Sequence, residues 1–169
     1  MEISAEIDPM KAQMIELNVL RSPNKDEYTR IIFYKEKGFG NGLDYKSGNQ
    51  TALMPADLVS LVTGEKPGPR TPNTRLSLIT IESSYSSSLP DAQLRAPETA
   101  PFLLNPGETV KLRIFVDKSV VEVFVNGRQC VAMRVYPGRD DSMGVSIRAQ
   151  GQDAELKSLD AWQMKSIYE

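Results

Sequence analysis

Val110-Lys111-Leu112-Arg113-Ile114-Phe115-Val116-Asp117-Lys118-Ser119-Val120-Val121-Glu122-Val123-Phe124-Val125-Asn126-Gly127 carries an apolar residue at every second position along each of two arms. Period-2 patterning of this kind belongs to a strand with one buried face. If Lys118-Ser119 is the turn, Val116 falls opposite Val121, Ile114 opposite Val123 and Leu112 opposite Val125. The apolar faces then coincide, whereas a one-residue slip would turn one arm inside out. At the next turn Asn126-Gly127 is a strong hairpin signal, but a two-residue loop would set Val123 against Cys130 and Glu122 against Val131, on disagreeing faces. A three-residue loop, Val125-Asn126-Gly127 with Gly127 left-handed, pairs Val121 with Val131 and Glu122 with Cys130 and is the expected bulged turn.

Working outward, the same alternation recurs and helical periodicity is scarce. Ile3, Ala5 and Ile7 share one face of a first strand that stops at Asp8-Pro9, since proline cannot donate to a ladder. Ile15, Leu17 and Val19 line a second, ended by the turn Ser22-Pro23-Asn24-Lys25-Asp26. A third runs through Thr29, Ile31 and Phe33 with Tyr28, Arg30, Ile32 and Tyr34 opposite; apolar groups on both faces predict a central strand. Met143, Val145, Ile147 and Ala149 predict another. In the last segment apolar parity slips between Leu156 and Leu159, which predicts a bulge near Ser158 before Trp162 and Met164.

The middle of the chain is less regular. Met54 to Val62 reads as a strand or short helix, Gly64 to Pro72 as an exposed loop, and Arg75 to Ile81 as a strand. Ser83-Ser84-Tyr85-Ser86-Ser87-Ser88 and a proline-punctuated stretch from Pro90 to Pro106 follow. The expectation is one domain over 1–169 with a long irregular excursion at about 53–106. Short strands with turns at this spacing imply an all-β fold, an antiparallel sandwich or barrel.

Composition narrows function. Forty per cent hydrophobic and 25% charged residues suit a globular domain with a core. With 20 basic and 22 acidic residues, net charge −2, no basic excess exists to attract nucleic acid. No segment reaches the roughly 20 apolar residues of a membrane span, and the N-terminus opens on a strand pattern without a leader, as a trimmed or separately encoded fragment would. The single cysteine, Cys130, excludes an internal disulfide and a multi-cysteine metal site. There is no histidine, which removes the commonest general base, metal ligand and nucleophile activator.

The run from Leu112 to Gly127, continuing through Arg134-Val135-Tyr136-Pro137, resembles the hairpin signature of the C-terminal domain of glycoside hydrolase family 32, the invertases, levanases, inulinases and other β-fructosidases. Ser158-Leu159-Asp160-Ala161-Trp162-Gln163-Met164 is similar to that domain's last strand. The resemblance implies an antiparallel two-sheet β-sandwich, a concanavalin-like or lectin-like jelly roll, attached behind a five-bladed catalytic propeller in the same or a separate chain. It also implies a parent enzyme acting on fructose-containing glycosides and commonly secreted or periplasmic. The family's catalytic motifs are an Asn-Asp-Pro segment with the nucleophile, an Arg-Asp-Pro segment and a Glu-Cys segment with the acid/base. None occurs here: Arg139-Asp140 is followed by Asp141, and Cys130 is preceded by Gln129. Where relatives often carry an Asp-Arg-Ser type motif, this chain has Glu82-Ser83-Ser84-Tyr85-Ser86.

A retaining glycosidase needs two carboxyls roughly 5 Å apart, and Asp117 and Glu122 flank a tight hairpin. The simpler account is cross-strand ion pairing, since Glu122 faces Phe115 and lies diagonal to Arg113 and Asp117. Ser119 reads as a turn residue, and Asp117, Ser119, Glu122, Asn126 and Gly127 together as hairpin architecture. Tyr85 among serines is a candidate sugar-stacking residue against the alternative of a mobile polar loop. Trp162 is expected in the core or against a partner domain, and outward Phe115, Phe124 and Ala132 are candidates for an interdomain patch. Cys130 reads as a plain strand residue, and Asp140-Asp141 falls short of the about six to eight oxygens that calcium takes. No metal or cofactor is expected. Two readings follow: a supporting domain on a catalytic propeller, or a carbohydrate-binding module.

Overall fold

A computed structural model describes residues 1–37, 76–93 and 95–165. Among the described residues ten strands form two five-stranded antiparallel sheets. Sheet A has the order β10-β1-β6-β7-β8, built from β1 (Glu2–Asp8), β6 (Val110–Asp117), β7 (Val120–Val125), β8 (Gln129–Arg134) and β10 (Glu155–Trp162). Sheet B has the order β5-β4-β3-β2-β9, from β2 (Met14–Arg21), β3 (Thr29–Tyr34), β4 (Ser77–Glu82), β5 (Glu98–Phe102) and β9 (Gly144–Gln150). The expected two-sheet sandwich is the fold. Its core is the meeting of the alternating faces: Ile3, Ala5, Ile7, Leu112, Ile114, Val121 and Val123 from sheet A against Leu17, Ile31, Phe33, Ile79 and Phe102 from sheet B. Each such side chain contributes about 1.5–3 kcal/mol by leaving water.

The β6–β7 register is the derived one, with Val116 opposite Val121 and Leu112 opposite Val125. Lys118, at φ 51°, makes the tight turn. The β7–β8 turn has the expected three residues but is centred one residue later, on Asn126-Gly127-Arg128, so Val123 meets Val131 and Val121 meets Met133. The physical reason is Asn126, which does not join the β7–β8 ladder. Its N–H donates to the Lys111 carbonyl and its Oδ1 accepts from the Lys111 N–H, while both Asn126 (φ 50°) and Gly127 (φ 63°) are left-handed. A displacement of two along β8 leaves every side chain on its expected face.

β3 lies at the centre of sheet B and buries Ile32 as well as Ile31 and Phe33, as its two apolar faces require. The expected slip near the C-terminus is also present: Glu6 pairs with Ser158 and Ile7 with Leu156, leaving Lys157 as the extra residue. Two further expectations need correction. The excursion is not irregular throughout, because Glu98–Phe102 forms β5 along the edge of sheet B despite Pro101. Pro101's carbonyl accepts from the Gln129 side chain, away from β4, so its nitrogen faces away too and no ladder donor is lost. Met143 stands exposed just before β9 instead of within it, and its N–H is taken by the Asp141 carbonyl. Met54 to Val62 and Gly64 to Pro72 lie outside the described residues.

Candidate functional site

Alternation gives sheet A an outer face of mixed aromatic and ionic character. One row crosses all five strands as Trp162, Glu2, Phe115, Glu122 and Ala132, and the next as Asp160, Ser4, Arg113, Phe124 and Cys130. Phe115 and Phe124 meet edge to face, centroids 6.0 Å apart at 87°. The Arg113 guanidinium lies 5.0 Å over the Phe115 ring, an arrangement that the ring quadrupole favours. Phe124 is 38% exposed, Ala132 is exposed and Phe115 is half-buried, all three on this outer face. A depression of about 370 Å³ opens between Ser4, Arg113, Phe115, Phe124 and Asn126.

In the hairpin one expected partner is exchanged. Glu122 stands opposite Phe115 as derived, but the expected ion pair with Arg113 does not form. Arg113 instead donates to Glu2 on β1 at 2.7 Å, because β6 has a neighbour on either side and the Phe115 ring holds the guanidinium there. Asp117 is exposed at the end of β6, and the Ser119 carbonyl accepts from the Val135 N–H. Asn126 is a knot: its amide donates to Glu108 and to the Thr109 carbonyl, both at 2.9 Å. Burial pushes the Glu108 carboxyl up, but hydrogen bonds from Arg128, the Asn105 N–H and Asn126 outweigh that and hold it at about 2. Gly127 is needed for its left-handed backbone, since a Cβ there would meet nothing within 4 Å.

Trp162 is not in the core. It is 51% exposed on edge strand β10, every residue of which is exposed, because sheet B does not extend over that strand. Tyr85 is 51% exposed and lies flat on Tyr28, centroids 5.2 Å apart at 6°, while its carbonyl accepts the Tyr28 N–H at 2.7 Å. Cys130 is free, with its thiol pushed up by burial and by Glu122. Arg139 grips Asp141 through two bonds of 2.7 Å and also reaches Asp26, while Asp140 stands apart from that grip. Among the described residues no group of three or more acidic or cysteine side chains is placed to hold a metal, and no helix is long and apolar enough to cross a membrane.

Two buried carboxylates escape sequence reasoning. Glu27, fully buried, accepts from the Ser88 N–H (2.7 Å), the Gly138 N–H (2.9 Å), the Arg139 N–H (2.9 Å) and the Ser142 hydroxyl (2.5 Å). It therefore ties three loops together at one end of the sandwich. Burial pushes its carboxyl up, but these donors outweigh that and hold it below the usual glutamate value. Glu16, 2% exposed on the outer face of sheet B, accepts from Arg30, Arg148 and Asn18, and Arg30 also pairs with Glu82. Its carboxyl is likewise held low, the hydrogen bonds prevailing over burial. Neither shows a sequence signal, because their partners lie up to 115 and 132 residues away.

Fold and faces together define a lectin-like, antiparallel two-sheet β-sandwich domain. The chain belongs to the family described as glycosyl hydrolases family 32 C terminal, whose model matches residues 1–163. It is 42% identical over 67 residues to β-fructofuranosidase 1 of Zea mays and 42% identical over 72 residues to levanase of Bacillus subtilis (strain 168). Those matches take in 37% and 42% of this chain and 10% of each relative, so the chain spans a small part of the curated relatives it matches. Fructan 1-exohydrolase IIa from Cichorium intybus has the same fold over 97% of this chain and 30% of its own, with TM-score 0.66 and 16% identity. Exo-inulinase from Aspergillus awamori matches over 94% of this chain and 23% of its own, with TM-score 0.59 and 16% identity.

Proposed function

We propose that this chain is a non-catalytic supporting domain that packs, through the outer face of sheet A, on the catalytic domain of an enzyme cleaving fructose-containing glycosides. The observation that carries the packing is the group of outward aromatics in two neighbouring rows, with Trp162 and Phe124 exposed and Phe115 half-buried. Apolar groups gathered on one face, rimmed here by Glu2, Arg113 and Glu122, mark an interaction surface. The fructoside context comes from the family and from the names of the relatives. The non-catalytic part rests on the missing Asn-Asp-Pro, Arg-Asp-Pro and Glu-Cys segments and on buried carboxylates that are already saturated by donors. Incubating the purified chain with sucrose, inulin and levan tests it: no fructose release is expected, and enzyme-like release that scales with chain concentration would overturn it.

A further inference from the structure

β2 carries an extra residue. Its pairing with β9 runs from Asn18 opposite Ser146 to Arg21 opposite Gly144, three steps answered by two. Leu20, at φ 49°, absorbs the difference and packs against the core. Unbroken alternation would put Arg21 on the inner face with Val19, but the bulge returns it to the outer face beside Asn18. The tolerance for this is supplied by Gly144, where a Cβ would lie 2.8 Å from the Arg21 carbonyl oxygen. The result is a depression of about 270 Å³ on the outer face of sheet B, on the side opposite the aromatic patch, lined by Glu16, Asn18, Arg21, Tyr28, Ser146 and Arg148.

Two buried atoms of residues that line this depression have no hydrogen-bond partner among the described residues: Asn18 Oδ1 and Arg21 Nε. Asn18 is only 8% exposed. Its amide nitrogen is committed to Glu16 Oε1 (3.0 Å) and Ser146 Oγ (3.3 Å), and a flipped amide would aim its carbonyl at the Glu16 carboxylate. The orphan acceptor is thus fixed by chemistry. A buried acceptor and a buried donor left unmade are costly, and a hydroxyl satisfies both kinds, donating to Oδ1 and accepting from an N–H. Lys25 and Arg148 add donors, and Tyr28, stacked on Tyr85, adds an aromatic wall for a ring's C–H face. Inorganic phosphate would suit the cations, and its P–OH could serve Asn18, but it has no C–H face to set against Tyr28.

We propose that this bulge-built pocket is a saccharide-binding site that takes one sugar ring of an oligosaccharide, Asn18 and Arg21 turning their Oδ1 and Nε, closed off in the free chain, to meet ring hydroxyls. The site stands on its own geometry; only the choice of a fructose oligosaccharide as first probe rests on the function proposed above. The test is a titration of the whole 15N-labelled chain with 1-kestose, with maltotriose and with inorganic phosphate, read at the Asn18 side-chain amide and the Arg21 Nε–H. Saturable shifts at both groups with 1-kestose are expected, about tenfold weaker in Arg21→Leu and in Tyr28→Ala. Both variants are first checked for a wild-type spectrum away from the pocket, and Phe124→Ser on the opposite sheet binds as wild type. Shifts with maltotriose and not 1-kestose would uphold the pocket while removing the fructoside reading. Shifts with phosphate alone would make the pocket an anion site, and shifts with none of the three would leave it without a ligand; either result overturns the proposal.

Discussion

Glu27 keeps a full negative charge out of water by collecting four donors from segments that are distant in sequence. Such a charge stabilises the fold only while every donor stays in place, and removing it strands three backbone N–H groups and a hydroxyl. Glu27→Gln presents an amide N–H₂ to donors that need an acceptor, and is expected to lose about 3 kcal/mol in chemical denaturation at neutral pH. The pH dependence follows from the same bonds. The folded chain binds a proton at Glu27 less readily than a free glutamate of ordinary value 4.5 does. The stabilisation is therefore complete above that value and drains away as pH falls through the lower folded-state one. Glu16 shifts in the same direction, and Glu108 titrates at about 2. Glu27→Gln is expected to show a shallower loss of stability between about pH 5 and pH 3 than the parent chain. Parallel curves would remove Glu27 as an acid-sensitive tie.

At the level of elements, what could be read in advance was what alternation controls. The faces of β1, β6 and β7, the centrality of β3 and the slip in β10 all follow from which residues are apolar at every second position. The β7–β8 partners did not follow, because Asn126 could bond to either side and only its contacts with Lys111 and Glu108 decide. β5 was hidden by Pro101, whose nitrogen is harmless only at an edge, and edges are a property of the assembled sheet. The bulge in β2 was hidden as well: Val19, Leu20 and Arg21 carry no mark of an added residue, and its counterpart Gly144 lies on another strand. That counterpart is testable. Gly144→Ala drives a methyl against the Arg21 carbonyl, which is backbone and cannot step aside. A loss of about 1–3 kcal/mol is expected, with faster amide exchange along β9 and the end of β2 than in sheet A. Unchanged stability would mean that the close approach is not needed.

Across the whole molecule the two outer faces differ in a way that their shared core does not dictate. Sheet B faces outward with an ionic cluster, Glu16, Arg30, Glu82 and Arg148, which is exposed to solvent at Arg148 and gains little from a protein partner. Sheet A faces outward with Phe115, Phe124 and Trp162, whose burial would release apolar surface from water at about 25 cal/mol per Å². A docking interface of ordinary size covers about 800 Å² on each partner, and these rings lie on β10, β6 and β7, which with the intervening β1 make four adjacent strands that could supply it. Phe115 and Phe124 touch each other, so they would act as one anchor and their losses would not add. The expectation is checked in a chimera in which this chain replaces the C-terminal portion of the Bacillus subtilis levanase. The chimera should melt several degrees above the levanase truncated before that portion. The double change Phe115→Ser and Phe124→Ser, which leaves the inward faces of β6 and β7 untouched, should remove most of that gain. The same double change in the isolated chain should barely move its own melting temperature, because neither ring belongs to the core. A chimera no more stable than the truncated enzyme, or one indifferent to the two rings, would mean that the aromatic face of sheet A is not where the partner sits.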